Sequence, residues 1–299
     1  MNNNTRIMSD AKLSRKLGLY QVMERIGTLI GIALCAAGGV MSIVRHNLWL
    51  FAGLFFAGAA VIAVICGIVN VRKNALLNSQ LGGFLHSELE RVFGPMLDER
   101  TLPINEVYLK SAHIVSAPWE ECEIANYYEA EHCGLHFSVA NAALDHSVEE
   151  KSGPNNDNWM TKTVTVFKGI IIRCADICAA RHDIRINDLM QENPPKGDVI
   201  DASVFAERFS ACTPGGQDAA ALVTPELRKL CSELEKMTAG KLCCLAMCGG
   251  ELELAIHTSY EFSNVSPNID LRDIDAVRRE LTASIEKMSN ILDAVCANF

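Results

Sequence analysis

The chain has 299 residues, 49% of them hydrophobic and 21% charged, with a formal net charge of −9. Residues 1–73 hold 8 Lys and Arg against 2 Asp and Glu, while the remainder holds 19 against 34. An acidic body of this kind excludes nucleic acid as a partner, because phosphate contacts need Lys and Arg.

Residues 1–25 form a basic, cytosolic N-terminal segment. Ser9 is placed to cap a helix over Ala11–Arg25, with Leu13, Leu17 and Tyr20 on one side. That helix reads best as an extension of the span that follows. An interfacial helix lying on the headgroups is the competing reading, weakened by Gly18 and Glu24.

Ile26–Val44 (IGTLIGIALCAAGGVMSIV) and residues 48–71, beginning LWLFAGLFFAGAAVIAVICGIV, contain no charged side chain. Each approaches the ~20 residues a helix needs to cross hydrocarbon. Only Arg45, His46 and Asn47 separate them, which predicts a tight transmembrane hairpin. Small residues recur every fourth position, at Gly27, Gly31, Cys35 and Gly39, and again at Ala59, Ala63 and Gly67. Such stripes let helix backbones approach closely. Arg6, Lys12, Arg15, Lys16 and Arg25 precede the hairpin, and Arg72 and Lys73 follow it. Positive flanks stay inside, so both termini are expected in the cytoplasm of a multi-pass inner-membrane protein.

Residues 72–97 continue in helical style as a juxtamembrane region, with a break or bend at Gly82-Gly83 and a stop at Gly94-Pro95. Residues 98–299 are expected to form a cytosolic α+β domain of antiparallel β-hairpins packed with helices. Ile104–Leu109 and Ile114–Ser116 read as short elements joined through Lys110–His113. Leu135–Val139 and Val164–Ile172 read as strands of a long hairpin around the turn-rich loop Ser152–Asn158. Asn193–Asp198 (NPPKGD) reads as a second loop, and Val204–Phe209 as a strand. Thr224-Pro225 opens a helix whose one face carries Leu227, Leu230, Cys231, Leu234 and Met237, ending at Gly240.

Gly249-Gly250 forms a two-residue hairpin turn. It sets Met247 opposite Leu252, Leu245 opposite Leu254 and Cys243 opposite Ile256. A last helix over Asp273–Val295 carries Ile274, Leu281, Met288 and Val295 seven apart. Asp270 or Asp273 caps it, and it packs on the domain's own sheet, with a coiled-coil partner as the alternative.

Thr165–Ile171 (TVFKGII), Ala219–Leu230 (AAALVTPELRKL) and Glu251–Phe262 (ELELAIHTSYEF) carry a likeness. With the final helix, the chain resembles an uncharacterised bacterial membrane-protein family. The resemblance implies a two-helix N-terminal hairpin and a cytosolic α+β domain; it implies no activity and no catalytic residues.

No catalytic motif is present: neither G-x-S-x-G, H-E-x-x-H nor a phosphate-binding loop occurs. Cys122, His132, Cys133 and His136 offer thiol and imidazole ligands in one neighbourhood, the only metal candidates, but without the C-x-x-C pair usual in zinc sites. Gly215–Asp218 could hold an anion at a helix N-terminus, though a simple cap explains it equally. The twelve cysteines are scattered, which fits small core residues in a reducing compartment. No cofactor is expected. The reading is therefore a membrane-tethered interaction or scaffold module that meets the lipid bilayer, another membrane or cytosolic protein, or a second copy of itself. The alternative is a membrane-tethered enzyme or a small-ligand or metal sensor.

Overall fold

The computed structural model describes residues 8–45, 48–97, 101–115, 117–151, 159–175, 177, 183–188, 201–205, 209–213, 222–265 and 269–299. The His46-Asn47 turn, the loops at 152–158 and 193–198, Gly215–Asp218 and Cys178 lie outside the described residues. The chain divides into two compact units: Met1–Ser87 with Val265–Leu281, and Glu88–Asn264 with Thr282–Phe299.

In the first unit, α1 (Asp10–Arg45) begins where the Ser9 carbonyl accepts from Lys12 and Leu13 N–H. It runs without interruption into the first apolar segment. α2 (Leu48–Phe93) is likewise continuous. Gly82-Gly83, expected to bend it, sits inside regular helix, because the i to i−4 ladder supplies the backbone bonds that two missing side chains do not disturb. The helix stops at Gly94, whose φ of 79° only glycine adopts freely.

Gly27, Gly31 and Cys35 face α2, as the first stripe predicts. A Cβ at Gly31 would overlap Ile62 and lie 2.9 Å from the Gly58 carbonyl, and a Cβ at Gly27 would meet Ile65 at 2.6 Å. The facing residues on α2 are Gly58, Ile62 and Ile65, not the expected Ala59, Ala63 and Gly67, which are exposed. A Cβ at Gly39 would meet nothing within 4 Å. A single glycine against glycine sets the close approach, and Ile62 and Ile65 then fill the spaces beside it.

Below this contact, Leu13, Leu17, Leu81, Leu271, Ile274, Val277 and Leu281 form a buried cluster from α1, α2 and the start of α5 (Ile274–Cys296). Asp10 takes a two-pronged ion pair from Arg278, and Ser14 donates to the Arg272 carbonyl at 2.6 Å. The apolar side of the N-terminal helix is thus used within the protein, as the extension reading has it.

The second unit is α+β: among the described residues, an eight-stranded antiparallel sheet with helices. The strands are β1 (Glu121–His132), β2 (Leu135–Lys151), β3 (Trp159–Ala175), β4 (Ile184–Asp188), β5 (Asp201–Phe205), β6 (Phe209–Cys212), β7 (Lys241–Cys248) and β8 (Glu251–His257). Their order is β1-β2-β3-β8-β7-β4-β6-β5. β2 and β3 are 17 residues each and pair from His136↔Ala175 out to Lys151↔Trp159. β1 covers β2 only as far as Asp145, and β8 covers β3 only from Gly169. The outer ends of β2 and β3 therefore continue as a two-stranded ribbon, with Val148, Trp159, Met160 and Val164 exposed.

The two-residue turn at Gly249-Gly250 has φ of 59° and 86°, and Met247↔Leu252 and Leu245↔Leu254 pair as predicted. Ile256 faces Leu242 rather than Cys243, because the register shifts between Leu242 and Cys244. A bulge carries one extra residue, a feature that alternation along a strand cannot reveal. The segment read as one strand at 204–209 contributes to two, β5 and β6. Instead of two elements joined at 110–113, one helix, α3 (Glu106–Ala112), spans that join, capped by Asn105 Oδ1 accepting from Tyr108 N–H at 2.8 Å.

α3 with Ile104, Ile114 and Val115 covers one sheet face, over Ala140, Ala142, Leu144, Phe167, Ile171, Cys244, Ala246 and Ala255. By alternation the opposite face carries Phe137, Val139, Ile170, Ile172, Leu252, Leu254 and Ile256, all fully buried. The second half of α5 buries Ile285, Met288, Ile291, Leu292 and Val295. The seven-residue stripe is thus divided, Ile274 and Leu281 serving the helical unit and Met288 and Val295 the sheet unit. α4 (Pro225–Thr238) has Thr224 as N-cap and Pro225 in its first turn, and buries Leu227, Leu230, Cys231, Leu234 and Thr238.

Candidate metal centre

β1 and β2 are joined by a two-residue turn, Cys133-Gly134, with φ of 53° and 78°. Two positive φ values match the twist of an antiparallel pair. Glycine occupies such a site freely, whereas a thiol-bearing residue does so at a cost of about 1–2 kcal/mol. The turn puts the Cys133 side chain outside the sheet, beside His132 at the end of β1.

The last turn of α5 lies against this turn. Asp293 and Cys296 are three residues apart and so share a helix face. His132 Nε2 is 2.8 Å from Asp293 Oδ1, and the Cys133 thiol donates to the same oxygen at 3.6 Å. The three ligand atoms lie within 4.8 Å of one another. Cys296 donates to the His132 carbonyl at 3.7 Å, and its thiol is pushed up to about 11 by burial, by the adjoining Cys133 thiol and by Asp293. The Phe93 ring meets the imidazole edge-on at 5.6 Å and limits its rotation. The His132 side chain is 13% exposed and Asp293 53% exposed, so the cluster sits at the rim of the unit.

Of the four residues singled out from the sequence, the fold brings His132 and Cys133 together and sends the other two elsewhere. His136 Nε2 bonds Glu129 Oε1 at 2.9 Å. Cys122 pairs with Leu144 at the far end of β1, about 30 Å along the strand from His132. Its thiol is raised by burial and by Glu106. Asp293 and Cys296 escaped the sequence reading because they lie 160 residues downstream; a D-x-x-C spacing in a terminal helical turn is the signal that points to them.

Two buried polar networks hold the covering segment 101–108 to the sheet. Glu129 is fully buried and accepts from Thr101 N–H at 2.8 Å, Leu102 N–H at 3.1 Å, the Thr101 hydroxyl, His136 and the Tyr127 hydroxyl. Burial alone would raise its pKa, but these donors outweigh it and hold the carboxyl below its ordinary value. Arg173 stacks on Tyr108 at 4.0 Å and pairs with Glu251 at 2.7 Å. The Tyr108 hydroxyl donates to Glu253 at 2.8 Å. Burial raises both Glu253 and Tyr108. Each network spends its bonds on backbone and neighbouring side chains, which is the arrangement of a structural pin.

Comparison with protein-family models, with curated proteins and with solved structures finds no match to this chain. The class therefore rests on the molecule itself: an α+β protein carrying, among the described residues, two helices long and apolar enough to cross a membrane.

Proposed function

We propose that the chain is a multi-pass protein of the bacterial inner membrane, with both termini in the cytoplasm, and that its sheet unit is a docking module for another protein. The observation that carries the reading is the exposure of the apolar helices. Leu29, Phe56 and Val71 are 65%, 70% and 70% exposed in segments that a soluble protein would bury. A contiguous apolar surface of that extent is stable when hydrocarbon, not water, surrounds it. The flanking Lys and Arg set the orientation, and membership of the uncharacterised bacterial family named above belongs to the same proposal.

Docking has two supports. The β2–β3 ribbon presents Trp159 and Met160, and among the described residues no third strand pairs with it beyond Asp145 and Gly169, which suits β-addition. The Ala59, Ala63 and Gly67 stripe is exposed, which suits self-association through the membrane helices. The alternative, a membrane-tethered sensor of a small ligand or metal, draws on the cluster at His132.

A reporter enzyme fused after Phe299 tests the topology: activity inside the cell is expected, and activity outside overturns it. Purification from mild detergent tests the docking. A stoichiometric protein partner or a second copy, lost when Trp159 and Met160 become Glu, is expected. Recovery of the chain alone with a bound small molecule favours the sensor.

A further inference from the structure

We propose that His132, Cys133, Asp293 and Cys296 form a four-ligand site for a borderline-soft divalent cation of the zinc type. The two residues of the β1–β2 turn and the two of the last α5 turn supply one imidazole nitrogen, two sulfurs and one carboxylate oxygen. A tetrahedral zinc ion, with bonds of about 2.0–2.3 Å, separates its ligand atoms by roughly 3.3–3.8 Å. Among His132, Cys133 and Asp293, the separations of 2.8 Å for nitrogen to oxygen and 3.6 Å for sulfur to oxygen need shifts of about half an ångström or less. The Cys296 thiol, which adjoins Cys133 but lies outside that group of three, must close in further.

The donor set selects the metal. Thiolates and imidazole suit zinc, whereas magnesium and calcium take oxygen ligands. A surface His–Asp pair contributes little by itself, and it leaves unexplained why a cysteine occupies a left-handed turn position next to a second thiol. Four protein ligands close the site, which marks it as structural rather than catalytic. On binding, Cys133 and Cys296 each release a proton to solvent and form a sulfur–metal bond. His132 gives its Nε2 lone pair, and Asp293 is already ionised. The ion would fasten the end of α5 to the hairpin of β1 and β2.

The test uses the full chain in detergent, reduced and stripped by chelator, titrated with Co2+ alone and then Zn2+ alone. One Co2+ per chain is expected, with the strong visible bands of a tetrahedral thiolate site, and Zn2+ abolishes them. Cys133→Ser and Cys296→Ser should each weaken Zn2+ by about tenfold or more and remove the sulfur-to-cobalt band. Cys122→Ser and Cys248→Ser, which change thiols elsewhere, should leave both unaltered. Saturating Zn2+ should slow alkylation of Cys133 at least tenfold. Absence of a cobalt chromophore in the reduced parent, or one that persists in both ligand variants, overturns the proposal. The readout depends on neither membrane orientation nor a protein partner, so its failure is separable from failure of the docking role.

Discussion

The two units use the same kind of residue in opposite ways. The helical unit turns Leu29, Phe56 and Val71 outward, while the sheet unit encloses Phe137, Phe167 and Phe262 completely. The difference follows from the backbone. A helix satisfies its own N–H and C=O groups, so its surface can be apolar all round wherever the surroundings are apolar too. A sheet must find neighbours for every strand and a cover for each face, so its apolar residues go inside. One unit combines close contact at a few small residues with a small buried cluster at Leu13, Leu17 and Leu81; the other has a continuous core with polar pins.

Substitutions at five positions separate these two modes. The largest effect is expected from Glu129→Ala, which removes the acceptor of the Thr101 and Leu102 amides and leaves the Tyr127 hydroxyl only the Leu102 carbonyl. At roughly 1–3 kcal/mol for a buried unpaired donor, here the Leu102 amide, with less from the part-buried Thr101 amide, the sheet unit should lose about 2–4 kcal/mol in chemical denaturation of the detergent-solubilised chain. Parent stability should also depend on acid. Because the folded carboxyl titrates below its ordinary 4.5, its contribution is present above that pH and is lost as pH falls through the lowered folded value. Glu129→Gln should flatten this acid limb, and an unchanged limb would assign it to other carboxylates.

Gly169→Ala comes next. Gly169 lies between Ala142 on β2 and His257 on β8, and a Cβ there would overlap the Ile256 carbonyl, a backbone group with no rotamer to change. A loss of about 2–3 kcal/mol is expected by the same measurement. In the helical unit, Gly31→Val should cost about 1–2 kcal/mol of hairpin packing and speed alkylation of Cys35 by a lipid-soluble maleimide. Gly39→Val faces open space and should change neither. Equal responses at 31 and 39 would show that the glycine contact does not hold the helices. The smallest effect is Thr224→Ala. It removes the oxygen that accepts from Leu227 N–H at 3.3 Å and should lower stability by about 1 kcal/mol in thermal melting.

Much of the fold was legible because pattern and terminus signals agreed. Thr224-Pro225, Gly94-Pro95 and Gly249-Gly250 each marked a real boundary, since each supplies a backbone requirement that few other residues meet. Of the two candidates, Asp270 and Asp273, it is Asp273 that caps α5 by accepting from Ala276 N–H. The failures share one cause, which is that sequence separation hides the partner. The first small-residue stripe was visible, but that its partner is Gly58 with Ile62 and Ile65 depends on how the helices meet. The bulge at Cys243 follows from a neighbouring strand, not from β7 itself. Half of the metal cluster was visible as His132-Cys133. Asp293 and Cys296 looked like ordinary residues of an amphipathic helix until the end of α5 met the turn.

The ribbon formed by the outer parts of β2 and β3 has a practical consequence. Seven residues per strand, Asp145–Lys151 against Trp159–Thr165, reach on the order of 24 Å, with no third strand paired to them among the described residues. Free strand edges invite edge-to-edge stacking between molecules, and charged side chains along them resist it. Glu149, Glu150 and Lys162 sit among the apolar groups there. Neutralising those three should turn a well-behaved detergent preparation into one that clumps on concentration, a hazard that truncating the arm would remove.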